Sequence, residues 1–281
     1  IVSQHAAKCK KPYALQPHGS LPIIGSQRVL KWVYDKVWGD EVIQNASRLV
    51  VLNEMEKQYA EKWNLDVGRI EIIPNGITRE EFEILPPKGM FKQKIGLGAD
   101  TKVLLFLGRI NRIKGLSLLL EAFSEISLED EKTYLVIAGP DDGDLSSVMK
   151  QIEQLGIDKR VVVTGPLYKG EKNEAYCDAD VYVLPSIYEV FPVTILEAGA
   201  CGAAIITTSR CGIADLVKEI GTVVDYDKMQ LKRAIEIYLL NPDISKKKGI
   251  AARKKIMKEF TWDIVIERFN EMYQSMGGGT P

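Results

Sequence analysis

Two carboxylates, Glu189 and Glu197, stand eight positions apart in Ser186-Ile-Tyr-Glu-Val-Phe-Pro-Val-Thr-Ile-Leu-Glu-Ala-Gly-Ala200. The apolar run Val181 to Leu184 ends at Pro185 just before them and reads as a buried parallel strand. Pro192 suits the first position of a helix, where its missing N–H would be an orphan anyway. The stretch is therefore a strand, a loop and a helix N-terminus. A first helical turn offers unpaired N–H groups and partial positive charge to an anion, and carboxylates accept hydrogen bonds from hydroxyls. The combination suits a ligand that carries both phosphate and sugar. A solvated helix with two unrelated glutamates has the same spacing.

A second cluster is Leu107-Gly-Arg-Ile-Asn-Arg-Ile-Lys-Gly115. Gly108 permits close backbone approach, Arg109 offers a planar fork for pairs of phosphate oxygens, and Lys114 adds a mobile point charge. Arginine-rich loops are also commonly solvated, and Arg112 belongs to that description. Ala138-Gly-Pro-Asp-Asp-Gly143 and Thr164-Gly-Pro166 place Gly139 and Gly165 after two further apolar runs, where a flat ring or ribose could lie against backbone. A plain tight turn explains either one. His18, between Pro17 and Gly19, is a loop histidine that could reach a reaction centre or simply face water.

These residues need a scaffold, and the chain supplies one. Strand-like runs at 102–107, 133–138, 160–164, 180–184, 203–207 and 222–224 are separated by helical stretches. That alternation predicts a doubly wound parallel sheet, with ligands at the carboxyl ends of the strands. Upstream, the pattern predicts helices over 1–11, 26–38 and 53–63, the last capped by Asn53, and strands over 13–16, 48–52 and 70–73. Two or three strands make a poor sheet alone, so this domain is expected to begin before Ile1. Pro74-Asn-Gly76 is a strong turn signal, with Gly76 expected at positive φ. Residues 79–99 read as a polar connection with a short helix over 91–95, and three helices over 228–240, 243–258 and 262–275 close the chain. Gly277-Gly-Gly279 reads as a flexible tail.

The 281 residues allow two compact domains, and 46% hydrophobic content allows a core. Lys plus Arg is 37 against 38 Asp plus Glu, so the net charge of −1 gives no reason to expect nucleic acid. Cys9, Cys177, Cys201 and Cys211 form no CxxC pair and only two histidines are present, which argues against structural zinc and for reduced thiols. No apolar run reaches the roughly 20 residues that span a bilayer. A cytoplasmic location is expected, at the inner face of the membrane if peripheral contact is made.

Glu189-x7-Glu197 followed by Ala198-Gly-Ala-Cys-Gly202 resembles the donor-site signature of family-4 glycosyltransferases, retaining enzymes of the GT-B fold, and the resemblance runs from about His18 to the last helix. It implies a GT-B-like α/β chain. Residues 1–75 would be a partial, acceptor-side domain, 76–260 a Rossmann-like donor-binding domain, and 261–281 a helix that crosses back to the first domain, with a tail. It further implies that Arg109 and Lys114 bind the donor diphosphate, that Gly165 lies near the nucleotide base, and that Glu197 bonds the ribose. Glu189 would hold sugar hydroxyls and the N–H groups of Val193 and Thr194 would face phosphate, with Phe191 and Pro192 also in the donor-binding set. A leaving diphosphate gains charge as the sugar–oxygen bond breaks, so cations there stabilise the transition state without metal or cofactor. His18 would approach the sugar without serving as general base, because the departing phosphate takes the acceptor's proton. The common Glu-Gly-Phe-Gly form reads Glu189-Val-Phe-Pro192 here, which removes one N–H donor and places a β-branched residue where unusual φ values are difficult.

The activity implied is transfer of a sugar from a UDP- or GDP-linked donor to an acceptor hydroxyl of a sugar, lipid or small molecule, with retention. An alternative is a nucleotide-sugar-binding module or an inactive, truncated relative. A nicotinamide-dependent oxidoreductase fits the alternation but lacks GxGxxG after any strand, and no Walker-type loop is present.

Overall fold

The computed structural model describes residues 2–9, 11–21, 39–63 and 65–276. The helix expected over 26–38 and the tail at 277–279 lie outside the described residues. The chain divides into two compact units, residues 1–75 with 262–281, and residues 76–261.

The first unit contains α1 (Val2–Lys8), β1 (Ala14–Leu15), α2 (Asp40–Gln44), β2 (Arg48–Val51), α3 (Glu54–Glu61), β3 (Ile70–Ile72) and the distant α13 (Trp262–Ser275). Its strands pair in parallel in the order β1-β2-β3. Side chains of a strand alternate between faces. Leu49 and Val51 of β2 accordingly enter one cluster with Leu21, Ile43, Ala60, Leu65 and Ile70. Val50 enters another with Ile73, Val265 and Met272, where Phe269 packs beside them. A parallel sheet needs cover on both faces, and α13 provides the second. Asn53 caps α3 by accepting from the Glu56 N–H at 2.8 Å.

The second unit holds α4 (Glu80–Glu83), α5 (Met90–Lys94), β4 (Lys102–Leu107), α6 (Leu116–Glu129), β5 (Thr133–Ala138), α7 (Leu145–Gln154), β6 (Val161–Gly165), α8 (Gly170–Asp178), β7 (Val181–Leu184), α9 (Val193–Ala200), β8 (Ala204–Thr208), α10 (Ala214–Ile220), β9 (Thr222–Val224), α11 (Lys228–Leu240) and α12 (Pro242–Glu259). All neighbouring strands pair in parallel in the order β6-β5-β4-β7-β8-β9. Helices on both faces bury Val103–Leu107 of β4, Leu135–Ala138 of β5 and Val181–Leu184 of β7, which is why these stretches are unbroken apolar runs and do not alternate. The chain winds outward from β4 to β6, then returns to place β7 on the other side of β4. The crevice expected of such a sheet opens where the winding reverses, between the carboxyl ends of β4 and β7.

Local details depart from the sequence expectations in three places. Gly76 is buried and is not among the residues at positive φ, so no left-handed turn is needed there. Pro192 sits one residue before α9, at φ −75° and ψ 106°, where its ring-restricted φ suits the extended entry to the helix. The helix α4 lies in what reads as a polar connection, held by Phe82, which is buried. Among the described residues no helix is long and apolar enough to cross a membrane.

Candidate functional site

The loops that leave β4 and β7 are stitched together by main chain. The Ile187 N–H donates to the Ile113 carbonyl at 2.7 Å. Gly115, at φ +72°, lies so close to Pro185 that a Cβ there would stand 2.0 Å from its carbonyl oxygen. Glycine is required twice over, for conformation and for space. This contact sets Lys114 beside Glu189, and the Lys114 ammonium donates directly to Glu189 Oε2. Glu189 is held from its other side too, since its carbonyl accepts from the Gly212 N–H at 2.7 Å. Burial pushes the neighbouring Cys211 thiol up to about 11. Val190 is not among the non-glycine residues at positive φ, so the Val-for-Gly change in this loop is accommodated without strain.

Arg109 leans toward β5. Its Nη1 meets Asp142 Oδ2 at 2.9 Å, and Asn111 Nδ2 donates to the same oxygen at 2.8 Å. The Arg109 side chain is 65% exposed, against 12% for Lys114, so the two cations differ in how firmly they are held. Gly139 lies against Gly108: a Cβ on Gly139 would stand 1.8 Å from the Gly108 carbonyl oxygen. The glycine at 139 is thus demanded by the protein's own backbone. The Gly139 N–H in turn donates to Gly165 O at 2.9 Å, so Gly108, Gly139 and Gly165 line up along the carboxyl edge of β4, β5 and β6.

Glu197 projects from α9 toward α8. Lys172 Nζ lies 2.5 Å from its Oε1 and the Tyr176 hydroxyl donates to its Oε2 at 2.9 Å. Burial first, then the neighbouring Tyr182 and Glu197, hold Tyr176 protonated well above the ordinary tyrosine range. Tyr182 OH donates to Leu107 O at 3.2 Å and shares a hydrogen bond with the Thr194 hydroxyl at 2.8 Å, which ties the first turn of α9 to the end of β4. The N–H groups of Val193 and Thr194 open that turn and have no acceptor within the helix. Pro192 and Phe191 precede it, and Phe191 is buried.

The structure therefore brings Gly108, Arg109, Lys114, Glu189, Val193 and Thr194 to loops and a helix start at the carboxyl edge of one sheet, with Glu197 one turn further into that helix. Two of these carboxylates already carry lysine partners, which their spacing does not reveal. Sequence reasoning missed Asp142, Lys172, Tyr176 and Tyr182. Among the described residues, no group of three or more His, Cys, Asp and Glu side chains is placed to hold a metal.

His18 belongs to the first unit. It is exposed and sits at φ 48°, a left-handed value that few non-glycine residues adopt. Its turn is braced from below. Glu56, 1% exposed, accepts from the Gly19 N–H at 2.5 Å and the Leu52 N–H at 2.8 Å. Asn53-x-x-Glu56 is the spacing of a capping box, the signal that could have pointed to this glutamate.

The fold is shared by known structures. The Anabaena protein Alr3699/HepE, solved in complex with UDP and glucose, superposes with a TM-score of 0.85 over 98% of this chain and 74% of its own, at 17% identity. The fold is that of the GT-B glycosyltransferases. The family description "Glycosyl transferases group 1" matches residues 88–255, and the chain belongs to that family. Curated relatives include the uncharacterized glycosyltransferase MJ1607 of Methanocaldococcus jannaschii, 29% identical over 233 residues, and alpha-maltose-1-phosphate synthase of Mycolicibacterium smegmatis, 28% identical over 226. The matches take in 80% and 75% of this chain, and 59% and 58% of the relatives' lengths.

Proposed function

We propose that the chain binds a UDP- or GDP-linked sugar at the β4/β7 crevice and transfers the sugar to an acceptor hydroxyl with retention of anomeric configuration, as in family-4 enzymes. The observation that carries the reading is the Lys114–Glu189 pair, set by main-chain contacts beside the open first turn of α9. An ammonium has three N–H donors and a carboxylate about four acceptor sites. Lys114 can therefore hold Glu189 and a diphosphate oxygen at once, while Glu189 keeps lone pairs for sugar hydroxyls.

In the proposed step the bond between the anomeric carbon and the diphosphate oxygen breaks, and its electron pair leaves with the diphosphate. Arg109, Lys114 and the α9 N-terminus compensate that charge most strongly in the transition state. The acceptor hydroxyl attacks the face the diphosphate leaves, and its proton passes to the departing phosphate. These cations carry the compensation without a metal cofactor, so a chelator is expected to leave turnover unchanged. The relative solved with UDP and glucose supports the donor class.

Calorimetry with UDP, GDP and ADP tests the donor site. One nucleotide is expected to bind, and no binding by any of them would remove the assignment. Nucleotide release from the matching donor, measured with and without candidate sugar or lipid acceptors, then separates transfer from binding alone.

A further inference from the structure

This inference rests on the reading of Glu197 as the carboxylate that faces the ribose, and it concerns what holds that carboxylate in place. Glu197 receives one donor on each oxygen, both from α8: Lys172 on Oε1 at 2.5 Å and Tyr176 on Oε2 at 2.9 Å. Tyr176 is fully buried and packs edge-on against Tyr182, with ring centroids 5.6 Å apart and planes at 74°, so its hydroxyl has little freedom to swing. The Glu197 side chain is 13% exposed and Lys172 26%, which leaves one side of the pair open.

A carboxylate offers about four lone-pair positions, two on each oxygen. Lys172 and Tyr176 occupy one on each. The positions that remain are again one on each oxygen, a pattern matched by two hydroxyls on adjacent carbons. A glutamate also has three side-chain torsions to fix before it can receive such a pair, and the two donors fix them in advance.

We propose that Lys172 is a positioning residue for the donor nucleotide: with Tyr176 it presents Glu197 as a two-point acceptor for the ribose diol, and so sets a preference for ribonucleotides over 2′-deoxyribonucleotides. Lys172 lies on α8 and supplies no group to the diphosphate in this scheme. Its effect reaches the ligand through Glu197.

The test is calorimetry of UDP against 2′-deoxy-UDP, with the GDP pair run alongside, on the chain itself, Lys172→Met and Lys172→Arg. The unaltered chain is expected to favour the ribonucleotide by about tenfold or more, the loss of one charge-assisted hydrogen bond. Lys172→Met should lower that preference to about threefold or less, beside some loss of stability from leaving Glu197 without its ion partner, and Lys172→Arg should restore most of both. A general loosening of α8 would weaken both nucleotides alike and leave their ratio unmoved. If neither diphosphate binds the unaltered chain, the donor-site reading itself fails. If the unaltered chain binds without preferring ribose, or if Lys172→Met keeps the full preference, the positioning role is overturned while the donor site stands.

Discussion

Lys114–Glu189 and Lys172–Glu197 look alike as ion pairs, yet they are built differently. The first joins two loops, and its geometry comes from main chain, through the Ile187–Ile113 hydrogen bond and the packing of Gly115 on Pro185. The second joins two helices, and its geometry comes from side chains, through a buried tyrosine wedged against another. A pair fixed by backbone is sensitive to conformation and tolerant of changes in neighbouring side chains. A pair fixed by packing is the reverse.

Gly115→Ala should break the first pair most severely. It forces a Cβ into the Pro185 carbonyl at a left-handed φ, at a cost of roughly 2–4 kcal/mol in urea denaturation. Nucleotide binding should fall with it. Equal stability in this variant would show that main chain does not set the loop pair. Tyr176→Phe should strike the second pair alone. It leaves Glu197 Oε2 without its buried donor and is expected to cost roughly 1–3 kcal/mol, with the loop pair intact. Arg109→Ala sharpens the contrast, because Arg109 lies outside both pairs. Its stability change should stay within about 0.5 kcal/mol at so exposed a site. UDP or GDP affinity should weaken about tenfold by calorimetry, and an unaltered affinity would remove Arg109 from the diphosphate clamp. The smallest effect is a silence. Cys211, buried beside Glu189 with its thiol held up at about 11, should stay unmodified by iodoacetamide at pH 7.5 while exposed Cys9 is alkylated, as read by peptide mass. Labelling of Cys211 would mean that the loops open.

The same contrast explains what could be read from the sequence. Each strand of the second unit lies within one residue of its predicted run; for β4, β5, β7 and β8 the reason is that a strand buried on both faces writes its own boundaries. Gly108, Arg109, Lys114, Glu189 and Glu197 were legible as types at the ends of those runs. Their partners were not. Lys172 and Tyr176 stand 25 and 21 positions from Glu197, and Asp142 stands 33 from Arg109, so only the tertiary fold pairs them. Tyr176 reads as core because it is core, and its hydroxyl faces Glu197 only once α8 packs on α9. Glu56 was closer to hand, since the capping-box spacing marks it, but its second role under the His18 turn needs a contact 37 positions away.

The helix α13 has one more consequence, for the order in which the protein is made. Residues 76–261 are contiguous, so this unit has all its parts once they have cleared the ribosome. The first unit does not, because Val50 and Ile73 wait for Val265 and Met272. The segment synthesised earlier is therefore completed later, and until then an apolar sheet face stands open to chaperones in the nascent chain.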